Sequence, residues 1–445
     1  MELGSWALIS APSIFGLIPL LVFIILALLG KDNLSSMIAG IVVGVVLLGM
    51  DLKALSQVFQ DSLGSTPVLI GVIIMLGAGL GALMTEAHVS HTLVYWIVQR
   101  IGVNTRTKAK ISLAVCSILS CGLLGTLAGG NAIIAPIMIP IMATLGVTPT
   151  VVTALFKVSG EIGLILGPLT GVTLMTLEMT GLSYGQFMAQ AAIPYAVVWF
   201  IGTWIGCNRA QKRTEGKEKY ELGDDDVKDL STIVITPQQI RTTLAFLITF
   251  IALIIYGIFT KQGTSYAIIV MILLAAVVAA FSHIRIDKAV ASVISGAKLQ
   301  VYMLFNAIAI NILLIQVTAG GGFDALGDLI GGVATSGGPA GVMLTATLVG
   351  GFGIESSAVA EIQIITSLFG EMAREVGLPM GCFALSLLAA TRLTGNTYPT
   401  ANFVGQMGIG GSKNTKEVLQ ALWFGVGLLV IFLVIMAFLG PVIYT

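Results

Sequence analysis

Apolar residues run along this chain in blocks of about 17 to 22, the length that a bilayer core demands of a helix. Such blocks lie at 13–30, 34–50, 65–86, 187–207, 241–259, 264–282, 298–318 and 417–440. Two further segments, 149–180 and 379–409, are long enough to cross but hold Gly, Pro and charge at their centres, which predicts helices broken at membrane depth. An apolar stretch too long for one crossing precedes each of them, at 109–147 and 339–376. Both stretches are split by small-residue clusters, GTLAGGN at 125–131 and GFGIESS at 351–357, and read as re-entrant hairpins. Non-helical backbone at that depth is tolerated only in protein or beside a wet cavity, so neither tip faces lipid.

The same events occur twice in the same order. A polar stretch, 208–240, separates a first unit (1–207) from a second (241–445) and reads as a solvated linker. Matching the halves at an offset of 231 pairs Gly146 with Gly377, Glu161 with Arg392 and Pro168 with Pro399, whereas the hairpin tips match at 226. Amphipathic stretches follow the third span of each half, at 88–102 and 322–335. Five crossings and one hairpin per half is an odd number, so the second half enters the membrane upside down. The predicted fold is therefore an all-α polytopic membrane protein of two inverted repeats.

Charge orients it. With ten crossings, seventeen Lys and Arg fall on one side and only Lys53, Lys261 and Arg374 on the other. The positive-inside rule then puts the linker in the cytoplasm and both termini outside a cytoplasmic (inner) membrane. No Lys or Arg precedes the first span and Lys31 follows it, so it reads as a retained span and not a signal peptide.

Composition narrows the function. The 445 residues are 56% hydrophobic and 10% charged, against about 25% charged in soluble domains, which excludes a soluble enzyme. The net charge of zero offers nothing to nucleic acid. Cys116, Cys121, Cys207 and Cys382 lie in apolar stretches without metal spacing, and His88 and His91 have no third ligand nearby, so no metal centre is expected. There is no GxxxxGK[ST] sequence, so any transport runs on an ion gradient, and no cofactor is expected beyond Na⁺.

Chemistry concentrates at the tips and breaks. Paired discontinuous helices are the recurring plan of secondary transporters, whose half-helix ends serve anions and cations near the midplane. Arg392, with Asn131, Ser356, Ser357, Thr394 and Asn396, is the candidate set for a substrate carboxylate, since an arginine fork grips one bidentately. Thr126, Gly130, Glu161, Glu355 and Thr397 are the candidates for the coupling ion, with Glu361 a further one. An ionised residue at the bilayer centre is costly and functional by default. Two readings of the central pair stay open: ligand-binding groups, or a static Glu161–Arg392 bridge. Lys157, four residues before Glu161, offers that carboxylate a second partner.

At these residues the chain resembles the ion-transporter superfamily of secondary carriers. LGAGLGALMTEAHVSHTLVYWIVQRIG (76–102), GLLGTLAGGNAIIAPIMIPI (122–141) and AGGGFDALGDLIGG (319–332) are similar to segments of gluconate permeases and Na⁺/H⁺-antiporter-like proteins. The resemblance implies a scaffold of the early helices in each half, an elevator-type transport domain of hairpins and broken helices, and a homodimer. Dicarboxylate carriers of that superfamily have Ser-Asn-Thr at the tips, where this chain reads GGN and ESS. The expected function is H⁺- or Na⁺-coupled symport of a small carboxylate, such as a sugar acid, hydroxy acid or amino acid. The alternative is a Na⁺/H⁺ antiporter without an organic substrate.

Overall fold

A computed structural model describes residues 3–220, 235–353 and 357–444, and every regular element among them is a helix. The chain is an all-α polytopic membrane protein. Its first half runs α1 (Ile18–Leu28), α2 (Asn33–Leu47), α3 (Leu52–Leu63), α4 (Thr66–Glu86), α5 (Val89–Ile101), α6 (Arg106–Leu124), α7 (Leu127–Thr144), α8 (Pro149–Leu166) and α9 (Gly171–Thr180). A short α10 (Tyr184–Phe187) continues through a π-helical turn, Met188–Ala192, into α11 (Ile193–Thr214). The second half follows a matching order. It begins α12 (Pro237–Phe259), α13 (Tyr266–Ser282), α14 (Ile286–Lys298), α15 (Val301–Ala319) and α16 (Gly322–Ser336). It ends α17 (Gly338–Gly353), α18 (Ala358–Glu375), α19 (Met380–Arg392), α20 (Thr394–Thr397), α21 (Ala401–Gly410) and α22 (Thr415–Ile443).

Most of the expected spans are present, with three differences of length. Five coincide with the long apolar helices α4, α10–α11, α12, α15 and α22. By contrast α1, α2 and α13 have 11, 15 and 17 residues, and a 3₁₀ turn, Ile14–Leu17, lengthens the first of them. The arms of the first hairpin, α6 and α7, have 19 and 18 residues, about 27 Å each and as long as a crossing. What makes them a hairpin is the turn: Gly125 is left-handed at φ +67° and Thr126 extended at φ −133°, so the chain reverses within two residues.

Two elements escaped the span count. Helices α3 and α14 are amphipathic, too short and too polar to register as crossings, yet apolar at helical spacing, as Leu52, Leu55, Val58 and Phe59 show. Each packs on the other half, α3 on α15 and α14 on α4. Small residues let α14 and α4 close together: a Cβ on Gly296 would stand 2.4 Å from the Ala78 carbonyl oxygen. The linker also starts later than 208. Helix α11 continues to Thr214, and the six residues after it dock on the bundle: Glu215 pairs with Arg106 at 2.6 Å and the Tyr220 hydroxyl donates to the Gly410 carbonyl at 2.6 Å.

The first arms of the broken helices, α8 and α19, are the most buried helices of the molecule. Along α8 sixteen of eighteen residues are buried. It packs on α6 through glycine, where a Cβ on Gly163 would stand 2.3 Å from the Ile118 carbonyl oxygen. Helices α17 and α18 hold α19 in the corresponding way, and α11 lies along α22. The first break, Gly167–Thr170, is mostly buried, whereas the second exposes Pro399, Ala401 and Asn402, and both border cavities, as non-helical backbone in a membrane allows.

Candidate functional site

At its break, α8 ends at Leu166, Gly167 turns into an extended conformation, and Pro168 supplies no N–H to continue the ladder. The freed carbonyls are met locally. Thr170 caps α9 and its hydroxyl donates to the Leu164 carbonyl at 2.5 Å, with the Gly167 carbonyl at 3.1 Å; the Thr173 hydroxyl donates to Ile165 at 2.8 Å. Five oxygens therefore gather at one helix end. In the second half, α19 ends at Arg392, the four-residue α20 follows, and Thr400 caps α21 after Pro399.

Between the breaks lies a buried charge cluster. The Lys157 ammonium donates to Glu161 Oε1 at 2.5 Å, and Arg392 Nη1 stands 3.8 Å from the same oxygen. Asn396 Nδ2 donates to Glu161 Oε2 at 2.9 Å and to the Arg392 carbonyl at 2.8 Å. Lys157, Glu161 and Arg392 are at most 5% exposed. The glutamate is thus held at both oxygens. Arg392 is not spent: its Nε and Nη2, the two donors along one edge of the guanidinium, are buried without a partner among the described residues.

That cluster borders a cavity of about 200 Å³. The hairpin turns bring Thr126 and Ser357 to it, the breaks bring Glu161, Thr170, Arg392 and Asn402, and α4 with the start of α15 supplies Ile74, Gln300 and Met303. Its lining is paired along the chain. Thr126 and Ser357, Leu127 and Ala358, Ala128 and Val359, Glu161 and Arg392, and Gly171 and Asn402 all line it, and each pair is separated by 231 residues. Thr126 and Ser357 are also the N-caps of α7 and α18. The tips therefore correspond at 231, not at the expected 226, because the chain reverses at the capping residue.

The sequence candidates divide accordingly. Thr126, Glu161, Ser357 and Arg392 line the cavity. Asn131 lies away from it, where its Nδ2 donates to the Phe156 carbonyl at 2.9 Å and to Gln406 at 2.7 Å while its Oδ1 accepts from Ser117. Gly130 sits against Cys121, with no room for a Cβ. The hydroxyls of Thr394 and Thr397 donate to the Gly351 and Leu393 carbonyls, at 2.7 Å each, and Asn396 acts on Glu161 from behind. Glu355 and Ser356 lie outside the described residues. Glu361 is buried in the first turn of α18. Sequence reasoning missed Thr170, Gln300 and Asn402. The first was within reach, two residues past Pro168, and the third stands 231 residues after Gly171. Nothing local marks Gln300.

Comparison with known proteins gives a family and a fold. A family model described as "Tripartite ATP-independent periplasmic transporter, DctM component" matches residues 17–442. No curated protein matches the chain significantly. Among solved structures, the chain is similar to MtrF of Neisseria gonorrhoeae, described as illuminating a class of antimetabolite efflux pumps. The TM-score is 0.61 at 16% identity, covering 100% of this chain and 97% of that one, a likeness of fold. The family matched is not that of gluconate permeases or Na⁺/H⁺-antiporter-like proteins, which the local segments resembled; short glycine-rich and amphipathic stretches carry the common architecture more than the family.

Proposed function

Because the chain belongs to the DctM family of tripartite ATP-independent periplasmic transporters, and so is a secondary carrier, we propose that it takes up a small carboxylate by Na⁺-coupled symport through the cavity between the two breaks. The observation that carries this reading is the unpaired edge of Arg392, a residue of the cavity wall. A buried guanidinium with Nε and Nη2 both unpaired is costly unless a ligand completes it, and those two N–H groups match the two oxygens of a carboxylate. Glu161 stands beside the guanidinium and Asn396 holds the Arg392 backbone carbonyl, at a residue that lines the chamber.

For the cation, the gathered oxygens of Leu164, Ile165, Gly167, Thr170 and Thr173 suit a hard ion. Glu161 serves a structural charge in this reading, since Lys157 already neutralises it. That pairing also weighs against the antiporter alternative, which needs an intramembrane carboxylate free to exchange proton and sodium. Hairpins and broken helices would move together against α1–α4 and α12–α15, because Gln300, Met303 and Ile74 complete the cavity from that side. The family's name points to two further components, so we assign the chain a soluble substrate-binding partner and a small membrane partner in preference to a homodimer. An inner-membrane location is part of this reading, and the basic-residue count supports a cytoplasmic linker.

The test is binding of carboxylates to the purified full-length protein in lipid nanodiscs, in Na⁺ and in K⁺. Saturable binding that needs Na⁺ is expected. Arg392→Lys should weaken it by about ten- to a hundredfold, the loss of one charge-assisted bond from a bidentate pair, with the melting transition retained. Unchanged affinity in that variant overturns the assignment. Proton release on adding Na⁺ alone, in liposomes holding a pH dye, would favour the antiporter.

A further inference from the structure

Resting on the carboxylate reading above, we infer that the substrate is a short monocarboxylate with a mainly apolar body, such as a four- to six-carbon 2-oxo acid, and not a dicarboxylate or a polyhydroxy sugar acid. Three features of the cavity lead there. The first is charge. Among its described lining residues Arg392 is the one cation and Glu161 the one anion, and Lys157, which does not line it, donates to the same Glu161 oxygen that Arg392 Nη1 faces. A second carboxylate on the substrate would find no cation and would lie in a low-dielectric chamber that already contains a carboxylate, where like charges repel strongly.

Size comes second. A chamber of about 200 Å³ is smaller than the roughly 300–1,000 Å³ that drug-sized ligands occupy. It fits an acid of a few carbons.

The third is the chemistry of the walls. Ile74, Leu164, Val172, Met303 and Val359 present apolar surface from five separate helices. Two of the polar groups already have partners: the Thr170 hydroxyl serves the Leu164 and Gly167 carbonyls, and the Ser357 hydroxyl accepts from Ala360 N at the cap of α18. Thr126, Gln300 and Asn402 remain for the ligand. Three such groups can satisfy one oxo or hydroxyl substituent beside the carboxylate. A sugar acid with a hydroxyl on every carbon would bury several unpaired groups, each costing about 1–3 kcal/mol.

The wall opposite the breaks gives a way to test the charge argument without touching Arg392. Gln300 lies at the joint of α14 and α15, half-buried, and its side chain makes no capping bond. Gln300→Arg adds a second cation to the same chamber.

The experiment measures thermal stabilisation of the full-length protein in nanodiscs, in Na⁺, by 3-methyl-2-oxobutanoate, succinate and gluconate. The monocarboxylate is expected to bind at least tenfold more tightly than either of the others. In Gln300→Arg, succinate should gain about tenfold relative to 3-methyl-2-oxobutanoate, and Met303→Lys, one turn on, provides the same addition should the first variant not fold. Succinate or gluconate binding the wild type as tightly as the monocarboxylate overturns this inference and leaves Arg392 as a carboxylate anchor. Unchanged discrimination in a folded Gln300→Arg or Met303→Lys protein overturns the charge argument. Absence of binding by any of the three, with the protein folded, overturns the carboxylate reading itself.

Discussion

The two breaks solve one problem in opposite ways. A helix interrupted inside a membrane leaves carbonyls and N–H groups that hydrocarbon cannot satisfy. The first break closes on itself: Thr170 and Thr173, both within nine residues of the carbonyls they serve, bind Leu164, Ile165 and Gly167. The second reaches outward. Asn396 crosses 235 residues of sequence to Glu161, and Trp423 on α22 donates to the Thr397 carbonyl at 2.9 Å. In the proposed reading the self-contained end, which collects oxygens, takes the cation, and the end braced by other helices takes the anion through Arg392.

The largest expected effect comes from the pair that joins them. Lys157→Met leaves Glu161 buried without its nearest cation and should destabilise the protein by about 3–5 kcal/mol. Thermal melts should show that the Lys157→Met, Glu161→Gln double variant recovers most of the loss; if the single variant melts like the wild type, Arg392 alone balances the glutamate and its edge is not free for a ligand. Next is Gly163→Ala, which places a methyl against the Ile118 backbone, where no flexible side chain can yield. Overpacking of this kind costs about 1–3 kcal/mol, and the measurement is again the melting transition.

The comparison itself is sharpened by removing the matching hydroxyls. Thr170→Val deletes a cap and its bonds to two carbonyls, so it should cost about 1–2 kcal/mol and weaken the Na⁺ dependence of substrate binding. Thr400→Val deletes the cap bond to Phe403 N and should cost about 1 kcal/mol without altering that dependence. Equal Na⁺ dependence in both variants would move the cation site away from the first break.

The smallest effect lies at the edge of the bundle. Asp32 accepts from the Tyr302 hydroxyl and from Ser35 N, and these bonds hold its carboxyl below the usual 3.8. A depressed value means that the ionised form stabilises the fold above about pH 3.8 and that this contribution disappears as pH falls through the lower, folded value. The melting difference between wild type and Asp32→Asn should be constant from neutral pH to about 4 and vanish below it, amounting to a few tenths of a kcal/mol at this exposed position.

Much of the plan was legible because it is local. Apolar length marked α4, α12, α15 and α22, and Gly and Pro within apolar segments marked both breaks to within a few residues. The amphipathic α3 and α14 were passed over because their signal is a period and not a length. At the site, an offset of 231 put Glu161 and Arg392 together, while Asn131 and Thr394, of the right type and in the right cluster, proved to be occupied with the bundle's own backbone.

Sequence by itself determined that this chain is a membrane protein, where its helices run and break, and which two ionised residues sit at the centre. These follow from hydration: apolar length, charge cost and the missing N–H of proline act residue by residue, whatever the chain folds against. Tertiary structure decided that Lys157 takes Glu161, that Asn396 joins Glu161 to the Arg392 carbonyl, that Gln300 lines the cavity from another helix, and that one edge of Arg392 is left without a partner among the described residues. Side-chain direction and contacts across hundreds of residues set those choices, and no local pattern encodes them.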